Sequence, residues 1–142
     1  MRGKTGAACT LIILLVWGLT GPHFYVGLDK SGYHPGEEPV LRTCNIGLTP
    51  ISFGEGYHLY RLENGTLAPV RTGLIFPAVL HWLMPFQSWE QKVSLKYLLE
   101  NESVGGAPSL RDLPPGRYRI VKEICGWPRG CVNASLEFDL LS

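Results

Sequence analysis

Apolar and polar positions alternate most clearly near the C-terminus. Tyr118, Ile120 and Ile124 share one parity, while Arg117, Arg119, Val121 and Glu123 share the other. That two-residue period is the mark of a strand with one buried face. Lys122 falls on the apolar parity and interrupts it. Further on, Ala134, Leu136, Phe138 and Leu140 alternate with Asn133, Ser135, Glu137 and Asp139, which predicts a second half-buried strand. Gly126-Trp127-Pro128-Arg129-Gly130 is the loop between them. Asp112-Leu113-Pro114-Pro115-Gly116 is a chain reversal ahead of them, because proline fixes φ and Gly116 tolerates a positive φ.

The same reading extends towards the N-terminus. Phe24–Leu28 fits a first edge strand, and Ser31–Gly36 is a turn cluster. A strand over about Pro39–Asn45 has Leu41 and Thr43 on one face and Arg42 and Cys44 on the other. Ile46–Gly56 reads as a long, glycine-punctuated loop. Tyr57–Val70 is a hairpin turning at Asn64-Gly65, since both residues accept positive φ. Thr72–Pro85 is compatible with a short helical turn or with irregular packing over a sheet. Ser88–Leu95 alternates as a strand, with Trp89, Gln91, Val93 and Leu95 on one side, and Tyr97–Arg111 reads as a long, partly mobile connection. About seven short strands, many turns and no long amphipathic helix predict an all-β, antiparallel β-sandwich.

Composition adds a compartment. Arg2 and Lys4 precede an apolar run from Ala7 to Leu19, followed by Thr20-Gly21-Pro22. A charged head, a short apolar region and a small-residue exit form the pattern of a secretory leader. The run is shorter than the ~20 residues that span a bilayer comfortably. Residues 1–21 are therefore read as a signal peptide or membrane anchor helix, and 22–142 as one domain. Hydrophobic residues make up 45% of the chain, enough for a core, and losing Arg2 and Lys4 with the leader turns the net charge from +1 to −1. The basic residues form no stripe, so nucleic acid is excluded as a partner.

Beyond the leader stand Cys44, Cys125 and Cys131, in an oxidising compartment. An odd number allows at most one internal bridge. Cys125 and Cys131 flank a five-residue loop at the end of a hairpin, where cross-strand positions reach disulfide distance. Cys44 with Cys125 is the rival pairing. Neither CxxC spacing nor a nearby histidine supports a metal site.

Several motifs then occur in an order met elsewhere: Tyr33-x-Pro-Gly-Glu before a strand, Gly56-Tyr57-x-Leu-x-x-Leu-Glu-Asn-Gly, Ser88-Trp89-Glu90-Gln91, and Leu113-Pro114-Pro115-Gly116-Arg117-Tyr118-Arg119-Ile120. Together, over about residues 24–140, they resemble the bacterial and archaeal immunoglobulin-like domain proteins. The resemblance implies an immunoglobulin-like sandwich, secreted or held at the cell surface. Leu-x-x-Gly-x-Tyr also resembles a tyrosine corner, in which a hydroxyl ties a strand start to the preceding turn. Met84-Pro85-Phe86 stands where the family more often has Pro-Gly. Cys125 lies seven residues after Tyr118, unlike the two of antibody domains, so their inter-sheet disulfide is not implied.

Candidate chemistry is sparse. His23, His34, His58 and His81 stand apart from any nucleophile motif, and no GxSxG, HExxH, phosphate loop or calcium loop occurs. No His or Met follows Cys125 or Cys131 as a copper sandwich requires. The chain is expected to be no enzyme and to carry no cofactor or metal. Asn64, Asn101 and Asn133 begin N-x-S/T sequons and are candidate glycosylation sites. The candidate binding loop is Trp127, Pro128 and Arg129, a tip stiffened by proline and closed by the Cys125–Cys131 pair. Trp127 either caps the sandwich end or presents itself to an extracellular protein or glycan. The loops Ile46–Gly56, Leu98–Leu110 and Gly126–Gly130 are expected to share one recognition surface. The expected role is a non-catalytic binding or structural module, with a three-loop immunoglobulin-like proteinase inhibitor as the alternative.

Overall fold

The computed structural model describes residues 22–104, 107–128 and 130–142, with Ile12, Ile13, Leu15 and Val16 of the N-terminal apolar run; side chains over 100–108 are outside this set. The rest of the predicted leader helix, Gly105-Gly106 and Arg129 lie outside the described residues. Among the described residues, no helix is long and apolar enough to cross a membrane.

The described domain is all-β. Its strands are β1 (Phe24–Leu28), β2 (Gly32–Tyr33), β3 (Val40–Asn45), β4 (Ile51–Gly54), β5 (His58–Glu63) and β6 (Thr66–Pro69), followed by β7 (Leu80–Leu83), β8 (Ser88–Lys92), β9 (Lys96–Val104), β10 (Ala107–Asp112), β11 (Gly116–Gly126) and β12 (Gly130–Leu140). One sheet has the order β1-β3-β8. The facing sheet is built on the β11–β12 hairpin, paired without interruption from Gly116↔Leu140 to Gly126↔Gly130. The outer edge of β11 then serves two partners, β5 over Tyr118–Val121 and β4 over Cys125-Gly126. β6 extends β5, and β7 extends β4. On the far side β12 carries the two-residue β2, and this pair is parallel, a departure from the all-antiparallel expectation.

Three expectations for irregular chain change. Ile51–Gly54, inside the expected loop, is a strand, and its Ile51, Ser52 and Phe53 are all buried. A strand covered on both faces shows no alternation, which hid it in a glycine-rich stretch. Leu80–Leu83 is an edge strand, not a helical turn. Tyr97–Arg111, read as a long, partly mobile connection, falls largely in the antiparallel pair of β9 and β10.

The alternating segments bury the expected faces. Tyr118, Ile120, Lys122 and Ile124 of β11 point inward with Phe138 and Leu140 of β12. Leu41, Thr43 and Asn45 of β3 face them. The larger apolar cluster includes Tyr33, Leu41, Leu59, Val93, Tyr118, Ile120 and Phe138; a smaller one holds Ile51, Phe53, Leu83 and Ile124. The Tyr118 hydroxyl donates to the Pro114 carbonyl at 2.6 Å, the geometry of a tyrosine corner. Tyr33 does similar work at the other end of the cluster, donating to Asp29 Oδ1 at 2.6 Å. At the β5–β6 turn, Asn64 and Gly65 take φ of 49° and 78°, the positive values an Asn-Gly hairpin requires.

Candidate functional site

The Trp127 loop is held at its base by the Cys125–Cys131 disulfide, which joins directly paired residues of β11 and β12. Cys44, the rival partner, is a free, half-buried thiol on β3. Thr49 Oγ1 donates to the Trp127 carbonyl at 3.3 Å and ties the tip to the β3–β4 turn. The Trp127-Pro128 peptide is cis. The Trp127 side chain is 63% exposed, so it does not fold back as a cap on the core. Pro128 is exposed beside it, and Arg129 lies outside the described residues.

Two further segments meet the loop at this end. Asn45, the last residue of β3, is the hub: its amide nitrogen bonds the Gln87 carbonyl at 2.9 Å, and its carbonyl accepts from the Phe86 amide at 2.8 Å. Its buried side chain donates to the Thr49 and Leu83 carbonyls, each at 2.9 Å, and accepts from the Gly47 amide at 2.9 Å. The turn at Met84–Gln87 is thereby fixed against the turn at Ile46–Pro50. The chain enters the domain here as well. The Ile46 amide bonds the His23 carbonyl at 3.1 Å, and a Cβ on Gly126 would lie only 2.6 Å from Pro22 Cβ.

This end of the sandwich exposes a set of apolar side chains: Ile46, Leu48, Met84, Phe86 and Trp127, with Phe86 79% exposed. Phe86 has a φ of 69°, a conformation that glycine adopts freely and a bulky residue rarely does. The turn thus carries a phenyl ring in a conformation that favours glycine. The expected three-loop surface is only partly assembled. The β3–β4 and β11–β12 turns share this end, but the hairpin over 96–112 is joined to the opposite one, through the Leu113 amide to the Leu95 carbonyl at 2.9 Å and the Leu98 amide to the Arg71 carbonyl at 2.8 Å. The Met84–Gln87 turn takes its place. Sequence reasoning missed Met84 and Phe86; their signal was the run Ile75–Gln87, which contains no Asp, Glu, Lys or Arg.

The second polar centre is internal. Lys122, the residue that broke the apolar parity, is buried to 1% exposure between Ile120 and Ile124. Its ammonium donates to the Gly54 carbonyl at 2.8 Å, the Gln91 Oε1 at 3.1 Å and the Gly56 carbonyl at 3.4 Å. It also lies 5.1 Å from the Phe53 ring centroid and 5.5 Å from that of Trp89. Those carbonyls belong to the stretch where β11 changes partner from β5 to β4, so the lysine satisfies groups the ladder leaves open. Burial pushes its pKa down to about 8, against the opposing pull of Glu55. Glu55 is itself bonded to His81 Nε2 at 2.9 Å, and the His81 ring packs on Trp89 with centroids 4.5 Å apart. The group ties the sheets together inside the protein.

The remaining candidates are dispersed. Asn64 sits at the apex of the β5–β6 turn and Asn133 is exposed on β12; Asn101, expected in a loop, lies in β9. His34 and His58 are exposed. Glu123 Oε1 is 4.0 Å from Cys125 Sγ, but sulfurs joined in a disulfide supply no thiolate to a metal.

A comparison with curated protein sequences finds no match. Among solved structures, a β-glucosidase from Listeria innocua in complex with glucose aligns with 85% of this chain at 10% identity and a TM-score of 0.45. This chain spans only 16% of that enzyme. The family model described as bacterial Ig-like domain matches residues 21–139. With nearly the whole domain matched, the chain belongs to the bacterial Ig-like domain family.

Proposed function

We propose that this protein is a non-catalytic binding module of the extracytoplasmic face, and that its contact surface is the sandwich end bearing Trp127. The observation that carries the reading is the pinned, exposed tip: Trp127 is 63% exposed on a loop fastened by a disulfide and by Thr49. Fastening a large aromatic side chain in an exposed position lowers the ordering cost of binding. Membership of a family of structural and binding modules supports the absence of catalysis. The leader pattern and the disulfide support an oxidising, extracytoplasmic location, with residues 1–21 either removed or retained as a tether. A glycan on the exposed Asn64, at the β5–β6 turn, would be sterically compatible with this arrangement, whereas the exposed Asn133 stands two residues from the disulfide that closes the tip.

The test is retention of the full chain in the cell-envelope fraction, compared with Trp127→Ala. A side chain so exposed contributes within about 0.5 kcal/mol to stability, so the melting temperature should hold. Retention should fall at least several-fold. Unchanged retention by a folded Trp127→Ala protein would remove the tip from the function.

A further inference from the structure

The apolar end is also where the polypeptide arrives from its N-terminal segment. Pro22 and His23 enter beside Ile46 and Gly126, and a recess of about 290 Å³ lined by Pro22, His23, Phe24, Ile46 and Val132 marks the place. The residues preceding Pro22 include the apolar run Ala7–Leu19. Only a few residues separate that run from the domain, so whatever surface the run enters lies against this end of the sandwich.

The exposed side chains here suit such a surface. Ile46, Leu48, Met84, Phe86 and Trp127 come from three separate turns, and all are 40% exposed or more. The turns over 46–50, 84–87 and 126–130 contain one charged residue, Arg129, and no acidic one. Exposed aromatic and aliphatic tips on turns without a carboxylate match the headgroup region of a phospholipid bilayer, where Trp side chains concentrate. Phe86 adds an independent argument. The turn would be less strained with glycine, yet it holds an exposed phenyl ring at a positive φ.

We infer that the Trp127 end of the sandwich is a lipid-facing surface, seated in the headgroup layer of a phospholipid membrane beside the N-terminal segment. The inference rests on the preceding reading of this end as the contact surface and names what it contacts.

The full chain carrying Trp17→Phe is reconstituted into vesicles of phosphatidylcholine and phosphatidylglycerol, with and without bromine on the acyl chains, and tryptophan quenching is compared with the same protein also carrying Trp127→Phe. Trp127 should supply more than roughly a third of the bromine-dependent quenching, as an indole in the interface does. Phe86→Gly should raise the melting temperature and at the same time lower the Trp127 quenching at least about twofold, which separates lipid contact from loss of fold. Equal quenching with and without Trp127 overturns the inference. So does Trp127 quenching left intact by Phe86→Gly, or Trp127 shielded from aqueous iodide by self-association in lipid-free detergent. If lipid quenching fails while Trp127→Ala still releases the protein from the envelope, the inference falls and the function proposed above stands. If both fail, the end is not a contact surface at all.

Discussion

Phe86 shows how one residue trades stability for position. A non-glycine residue in the left-handed region pays for the crowding of its Cβ, about 1 kcal/mol or somewhat more. Phe86 recovers little of this through packing, because its ring is 79% exposed. Its backbone is nevertheless required: its amide donates to the Asn45 carbonyl and so fixes the turn against β3. Phe86→Gly preserves that bond and removes the strain, so the folded state should gain about 1 kcal/mol, offset in part by the extra freedom of glycine in the unfolded chain. Thermal or urea unfolding of the two proteins checks it, and a loss of stability would mean that the ring packs against something essential. Asn45 is the opposite case. It is fully buried, uses both ends of its side chain, and bonds three separate backbone groups. Asn45→Ala should cost about 2–4 kcal/mol, since it strands the buried Gly47 amide and Leu83 carbonyl and releases the half-buried Thr49 carbonyl. Denaturant midpoints measure that cost directly.

At the scale of elements, the long β11–β12 hairpin was legible because its two faces differ so sharply. Tyr118, Ile120 and Phe138 are buried, while Arg117 pairs with Asp139 and Arg119 with Glu137 across the exposed face. The Asn64-Gly65 turn was legible because its backbone chemistry is local. β4 was not, because its partners β7 and β11 come from distant parts of the chain along its two edges, and the burial of Ile51, Ser52 and Phe53 leaves no alternation to read. The binding tip was half legible. Its disulfide followed from spacing, but the companion turn at Met84–Gln87 depends on Asn45, a contact across about forty residues that periodicity does not encode. The disulfide itself closes a short loop within a hairpin already paired from Gly116↔Leu140 onward. Loop-closure entropy for so few residues is worth about 2 kcal/mol at most. Cys125→Ser with Cys131→Ser should therefore lower stability by no more than that and leave the strands intact. Circular dichroism with chemical unfolding tests both parts; loss of the β signal would show that the bridge, rather than the ladder, maintains the hairpin.

Across the whole molecule, Lys122 stands at the boundary between the larger apolar cluster and the smaller one that supports the Trp127 end. Ile120 belongs to the first cluster and Ile124 to the second, and an apolar side chain between them would leave the Gly54 and Gly56 carbonyls unanswered. The lysine supplies donors for both and reaches Gln91 on the opposite sheet, so it couples the halves of the core. Its ionisation then makes stability depend on pH. Burial depresses the folded-state pKa to about 8 from 10.5, so between these values the unfolded chain holds a proton that the folded chain has released. Stability must rise with pH over that interval, since the unfolded state binds more protons. The full shift corresponds to about 3 kcal/mol, and roughly 2 kcal/mol of it falls between pH 8 and 10. The neutral amine can still donate to the two nearest acceptors, so the contacts survive deprotonation. Above pH 10 the trend reverses. Tyr33, Tyr57 and Tyr118 have pKa values raised by burial, and their unfolded forms ionise first, which favours unfolding. A stability maximum near pH 10 is therefore expected from urea titrations across pH 7–11. Lys122→Met should flatten the rise between pH 8 and 10 while lowering stability by about 1–3 kcal/mol for the stranded carbonyls. If the rise persists in Lys122→Met, another group carries it, and the lysine at the centre of the sandwich titrates as it would in water.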